Sequence, residues 1–175
     1  MTEQQIFYAH WGSIIAGLML VLMSWRWRPI GRLFFVLLFL VAAQLNFRLA
    51  LTRPDEYLGF ARLAYVDWYR EFILGSFARH TATIVAAIAV GQLFIGVLLL
   101  LSGRALRLGL IGAIVFLVAV APLGTGAGFP ATLIMAWAAA LLLTGQDHLP
   151  LHQDLAGLWQ GRTPLRPPAS GLRVR

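Results

Sequence analysis

The chain has 175 residues, of which 59% are hydrophobic and only 12% charged. A soluble domain carries about 25% charged residues, so this composition excludes an ordinary soluble fold and makes lipid the expected solvent. All fourteen cationic side chains are arginines, seven acids oppose them and cysteine is absent; the net charge of +7 on so apolar a chain fits anionic lipid headgroups rather than nucleic acid, and the missing thiols exclude disulfides, thiolate metal sites, iron–sulfur ligation and covalent c-type haem attachment.

The first apolar segment covers residues 7–25. Tyr8 and Trp11 mark one end and Trp25 and Trp27 the other, the aromatic belt of a membrane-crossing helix. No basic side chain precedes it and no small-x-small cleavage site follows it, so it is expected to be a retained span rather than a signal peptide. A turn at Pro29 and Gly31 leads to a second span at residues 33–51. Residues 55–78 differ in kind. At 100° per residue, Tyr57, Leu58, Ala61, Ala64, Tyr65, Trp68, Tyr69 and Phe72 share one face, and most of the charges spread over the other. This predicts an external amphipathic helix started by Pro54 and Asp55, lying ring side down on the membrane. Leu63, Ile73 and Leu74 interrupt its polar side, so it is also expected to touch a neighbour.

A third span is expected at residues 81–101, a fourth at 108–121 and a fifth at 130–144, the last opened by Pro130. The last two are short, roughly 21 Å at 1.5 Å per residue against a hydrocarbon core of about 30 Å. The uncharged, glycine-rich loop between them, residues 122–130, is therefore expected to dip below the headgroups. Loop backbone is not tolerated in lipid, and residues 55–78 are the candidate cover. Glycines at 124, 126 and 128 superficially resemble a phosphate-binding loop, but no strand precedes them, and a tight helical hairpin explains them better. Gly91, Gly96, Gly109 and Gly112 are placed to let the third and fourth spans pack closely. Residues 145–175 form a basic, proline-containing tail with a short surface helix expected over residues 151–160, ending near Trp159.

The arginines orient this bundle. Nine of them, at 26, 28, 32, 104, 107, 162, 166, 173 and 175, fall on one side with only Asp147 and Asp154 against them, while the other side matches five arginines with five acids. The positive-inside pattern then puts the amino terminus outside and the carboxyl terminus in the cytoplasm.

Polar groups inside spans are the candidates for function. Gln44 and Arg48 lie four apart on one face of the second span, and Gln92 lies mid-way along the third. Together they are a candidate ligand-binding cluster for an anionic or quinone-like head group, the alternative being that Arg48 snorkels and the amides pair between helices. Tyr57, Tyr65, Trp68, Phe72 and Trp159 are the candidate interface or lipid contacts. His10 and His80 sit at the same boundary on different spans, which is interfacial rather than haem-ligating placement. His148 and His152 are separated by Pro150, so no helical metal pair forms and no metal is expected. No Ser-His-Asp arrangement is readable and no span contains a carboxylate, which argues against a proton-driven pump.

The stretch Gly91-Gln92-Leu93-Phe94-Ile95-Gly96-Val97-Leu98-Leu99-Leu100-Leu101-Ser102-Gly103-Arg104, followed by Arg107-Leu108-Gly109-Leu110, resembles the central hairpin of the DoxX-like family of small bacterial membrane proteins. The resemblance spans roughly residues 31–144. It implies a four-helix core from the second to fifth spans with the first as an addition, a bacterial cytoplasmic membrane, and a link to quinone-dependent oxidoreductases. Many members carry Glu where this chain has Gln92, and an amide cannot exchange a proton. The expectation is thus an all-α polytopic membrane bundle of five transmembrane helices with an external amphipathic helix. Its expected role is a non-catalytic accessory or structural subunit of a larger membrane complex or a homo-oligomer, with no cofactor required. The alternatives are a quinone-interacting redox subunit and a small transporter or lipid-binding protein.

Overall fold

A computed structural model describes residues 3–145 and 149–160. Their regular structure is helical, with seven α-helices: α1 (Glu3–Arg26), α2 (Arg28–Thr52), α3 (Asp67–Phe72), α4 (Thr81–Leu98), α5 (Gly103–Val120), α6 (Ala131–Leu143) and α7 (Leu151–Trp159). Three stretches are long and apolar enough to cross a membrane: Arg28–Thr52, Thr81–Leu98 and Gly103–Gly124. Ala131–Leu143 is equally apolar in character but shorter. These helices point to a membrane location and to contact with lipid. Their outward side chains fit that solvent, since Phe94 and Val115 are 63% and 62% exposed on the bundle surface.

The five longer α-helices pack as a ring in chain order. α1 lies against α2, α2 against α4, α4 against α5, α5 against α6, and α6 returns to α1. Short connections make α1 and α2, and α4 and α5, antiparallel neighbours, whereas α2 and α4 are joined through the cap between Thr52 and Thr81. The α1–α2 reversal needs only Trp27 between the helices, and α2 then opens on Arg28 and Pro29. It also needs Gly31, because a β-carbon there would fall 2.7 Å from the Ser24 α-carbon. Close packing continues at Gly96 against Leu40, Gly109 against Leu98, and Gly112 against Ile95; Gly91, by contrast, faces open space. The main core joins Phe35 and Phe39 of α2 to Leu106, Leu110 and Ala113 of α5 and to Ala138, Ala139 and Leu142 of α6. The alanines on α6 let the backbones approach.

α5, the helix of the expected fourth span, starts at Gly103 rather than at 108, so Arg104 and Arg107 stand on its first turns instead of in a connecting turn. Helical backbone then continues as a 3-10 turn, Ala121–Ala127, interrupted at Gly124 with φ 79°.

The segment expected as one amphipathic helix at 55–78 is three pieces, a correction with a local cause. Pro54–Arg62 is a 3-10 helix, Asp67–Phe72 is α3, and Ile73–Phe77 is a π-helical turn. Between the first two, Val66 is extended, with φ −118° and ψ 126°. The break lets the Tyr65 N–H donate to the Pro122 carbonyl at 3.1 Å, a bond a continuous helix would forbid. A second, smaller core lies under this cap, formed by Ala50, Ala61, Ile73, Phe77 and Val85. Ile73 therefore contacts the bundle, while Leu63 and Leu74 stay exposed.

Candidate functional site

Two polar constellations tie this apolar bundle together, one at each end. The first lies at the end covered by the cap. Asn46 of α2 donates through Nδ2 to Gln92 Oε1 of α4 at 2.7 Å, and the Tyr57 hydroxyl donates to Asn46 Oδ1 at 2.7 Å. Gln92 is 3% exposed. The chain of bonds thus runs from the cap through α2 into α4. Burial pushes the Tyr57 phenol above its ordinary pKa, and the neighbouring Glu56 charge pushes it further in the same direction. A phenol held neutral and two amides make a bonding chain without a group that exchanges protons at neutral pH.

Of the residues singled out in the sequence, Gln92 occupies this position. Gln44 and Arg48 do not join it; both are exposed on α2. Asn46 stands two residues from each, about 200° around the helix from both, so it faces α4 while they face away. The signal that identifies Asn46 is its helical spacing from the buried Phe35, Phe39, Ala43 and Ala50 on α2, which puts the partly buried amide on the same stripe. Gln92 lies on the matching stripe Val85, Ala89, Gln92 and Gly96 of α4.

The second constellation occupies the opposite end and extends the same α2 stripe backward to Arg28 and Arg32. Arg28 Nη2 donates to the carbonyls of Leu141 at 2.6 Å and Leu142 at 3.0 Å, closing the last turn of α6. Arg32 is buried and donates through Nε to the Leu99 carbonyl at 2.7 Å and through Nη2 to the Leu101 carbonyl, closing the end of α4. Its Nη1 reaches the Leu149 carbonyl at 2.8 Å and the Asp154 carboxylate at 2.9 Å. The last carbonyls of a helix have no partner within it and carry partial negative charge. Two guanidiniums four residues apart answer that need for two different helices. Arg32 also docks α7, whose Leu151 is buried and whose Leu151 N–H donates to the Leu100 carbonyl at 3.1 Å.

The aromatic candidates divide between packing and surface. Tyr65 meets Phe129 edge-on at 5.3 Å, and the Tyr69 hydroxyl donates to the Ala119 carbonyl at 2.5 Å, so the cap rests directly on the glycine loop. Trp68 meets Tyr69 at a tilt with ring centroids 4.2 Å apart, and Phe72 lies 6.0 Å from Phe77. Tyr65, Trp68 and Phe72 nonetheless remain exposed, and Trp159 is 92% exposed at the end of α7. Among the described residues no three of His, Asp or Glu come together as a metal site; His148, Asp147 and the tail from residue 161 lie outside the described residues.

No family model, curated protein or solved structure matches this chain. The DoxX resemblance rests on the residues quoted for it alone.

Proposed function

We propose that this chain is a non-catalytic accessory subunit that packs in the membrane against a larger membrane complex. One observation carries the reading. The polar side chains Arg28, Arg32, Asn46 and Gln92 join the chain's own helices and cap, while Tyr65, Trp68 and Phe72 keep exposed ring surface on the cap. Polar groups that act on a substrate face a cavity; these face one another's helix ends and side chains. Exposed aromatics of this kind are the usual anchors of protein contacts. The orientation that goes with this role is five spans in a bacterial cytoplasmic membrane. The cap and the glycine loop lie outside, and Arg104 and the carboxyl terminus lie inside.

Purification in mild detergent, with crosslinking and mass spectrometry of what accompanies the chain, tests the role. A defined membrane partner is expected, and Trp68→Ala is expected to weaken its retention. A monodisperse protein with no stable partner overturns the proposal. Reporter fusions after Arg62 and after Arg104 are expected to read opposite sides of the membrane.

A further inference from the structure

On the cap, a cleft of about 600 Å³ opens between the 3-10 helix Pro54–Arg62 and the α3 segment. Asp55, Arg62 and Arg70 line it together with the apolar Leu58, Ala61 and Leu74. Its volume lies within the range of small-molecule sites, about 300–1,000 Å³. The charges in it are unevenly committed. Arg53 pairs with Glu56 and Arg70 with Asp67, at 3.3 Å and 3.1 Å. Arg62 and Asp55 form no ion pair among the described residues, with each other or with a neighbour. Arg70 is held in place by Asp67 and by its Nε bond to the Ala61 carbonyl at 3.3 Å, which leaves Nη2 uncommitted. Gly59 adds room, since a β-carbon on it would meet nothing within 4 Å.

We infer that this cleft binds a zwitterion of the phosphoethanolamine class. Its phosphate lies between Arg62 and Arg70, its ammonium turns to Asp55, and its carbon backbone rests on Leu58 and Ala61. Two guanidiniums suit a phosphate, which they grip through several donors at once. One carboxylate in the same cleft selects for a ligand that carries a cation a few bonds from its anion. Pro54 follows directly on the last residues of α2, so the cleft stands where a spanning helix leaves the hydrocarbon and phospholipid headgroups begin. The same chemistry is offered by a phosphatidylethanolamine headgroup and by free phosphoethanolamine.

The full chain in detergent is offered phosphatidylethanolamine, phosphatidylglycerol or free phosphoethanolamine, and binding is read by native mass spectrometry and titration. Phosphatidylethanolamine is expected to be retained about tenfold better than phosphatidylglycerol, which has the phosphate and lacks the ammonium. Arg62→Gln is expected to weaken retention of both lipids. Asp55→Asn is expected to remove the preference by lowering phosphatidylethanolamine alone. Both side chains are exposed, so neither change should disturb folding, and an unchanged melting temperature checks this. Saturable binding of free phosphoethanolamine assigns the site to a soluble ligand; binding only of the lipid assigns it to the headgroup. Equal retention of the two lipids by the unaltered chain, or retention unmoved by both substitutions, overturns the proposal.

Discussion

Arg32 of α2 and Asp154 of α7 meet at 2.9 Å, with the arginine side chain 4% exposed and the aspartate 18%. The bridge is one of four contacts made by a single guanidinium, and the other three go to main-chain carbonyls of Leu99, Leu101 and Leu149. The two partners are therefore unequal. Losing Arg32 strands three carbonyls and a half-buried carboxylate. Losing Asp154 leaves Arg32 with its three carbonyl acceptors.

Arg32→Ala is accordingly expected to destabilise the chain by about 3–5 kcal/mol, the range for removing one partner from a buried ion pair. Asp154→Asn should cost about 1 kcal/mol. Arg32→Lys should recover only part of the loss, since an ammonium cannot reproduce the planar fork that reaches both the α4 end and α7. Thermal unfolding in one detergent ranks the variants. A larger loss from Asp154→Asn than from Arg32→Ala would show that α7, not the end of α4, is what Arg32 chiefly holds.

The same bridge has a pH signature. Burial raises the Asp154 carboxyl above its ordinary pKa, and the Arg32 charge and hydrogen bonds from Arg32 and the Leu149 backbone offset this only in part. The folded chain then holds this proton more tightly than the unfolded chain. Its contribution to stability is fully present below the ordinary value near 3.8 and is lost as pH rises through the raised one. Comparing melting temperatures of the unaltered chain and Asp154→Asn across that acidic window isolates the effect. The difference should move in favour of the unaltered chain as pH falls. Movement the other way would mean that the Arg32 attraction outweighs burial.

Two glycines should respond differently to alanine. A β-carbon at Gly124 would run into the Leu63 carbonyl, and its φ of 79° disfavours any side chain. A β-carbon at Gly145 would overlap first the Arg28 guanidinium, the far end of a long side chain rather than backbone. Gly124→Ala should therefore displace the cap from the glycine loop and cost at least about 2 kcal/mol. Gly145→Ala should cost about 1 kcal/mol by pushing Arg28 off the Leu141 and Leu142 carbonyls. Limited proteolysis separates the two, since only Gly124→Ala should open cleavage near Arg62 and Arg70. Equal protection in both variants would count against a tight contact between Leu63 and Gly124.

These relationships were unequally legible in the sequence. The apolar runs gave the helices, and helix–turn signals such as Pro29 and Gly31 placed the α1–α2 reversal close to where it lies. The cap was harder, because its amphipathic pattern at 100° per residue is compatible with one helix. The main-chain bond from Tyr65 to Pro122, some sixty residues away in the chain, decides against it. The arginines read as orientation signals, and net charge cannot separate Arg26, which stays exposed, from Arg32, which is buried. Position on the inward stripe can: Arg28, Arg32, Phe35, Phe39, Ala43, Asn46 and Ala50, all buried or partly buried, recur at intervals of three and four. Gln44 and Arg48 share a face of α2 by the same spacing, but that face is exposed and apart from Gln92.

That stripe sets the last expectation, for the pair Asn46 and Gln92. Asn46 bridges two partners, accepting from Tyr57 and donating to Gln92. Asn46→Leu breaks both bonds, whereas Gln92→Leu breaks one and leaves Tyr57 bonded. Side-chain hydrogen bonds between helices in membrane proteins contribute about 0.6 kcal/mol on average and up to about 1.7. Asn46→Leu should therefore cost about 1–3 kcal/mol and Gln92→Leu about half as much. The double variant should cost less than the two single losses added, because either change alone removes their shared bond and the double change also removes the stranded amide. Tyr57→Phe should lower stability in the chain with Asn46 and leave it unchanged in Asn46→Leu. Unfolding measured in a single detergent tests all five variants together. Strict additivity between Asn46 and Gln92 would mean that the amides do not bond across the helices; an equal loss from Tyr57→Phe with and without Asn46 would mean that the cap is held to the bundle by the apolar contacts of Ile73 and Phe77 without this polar link.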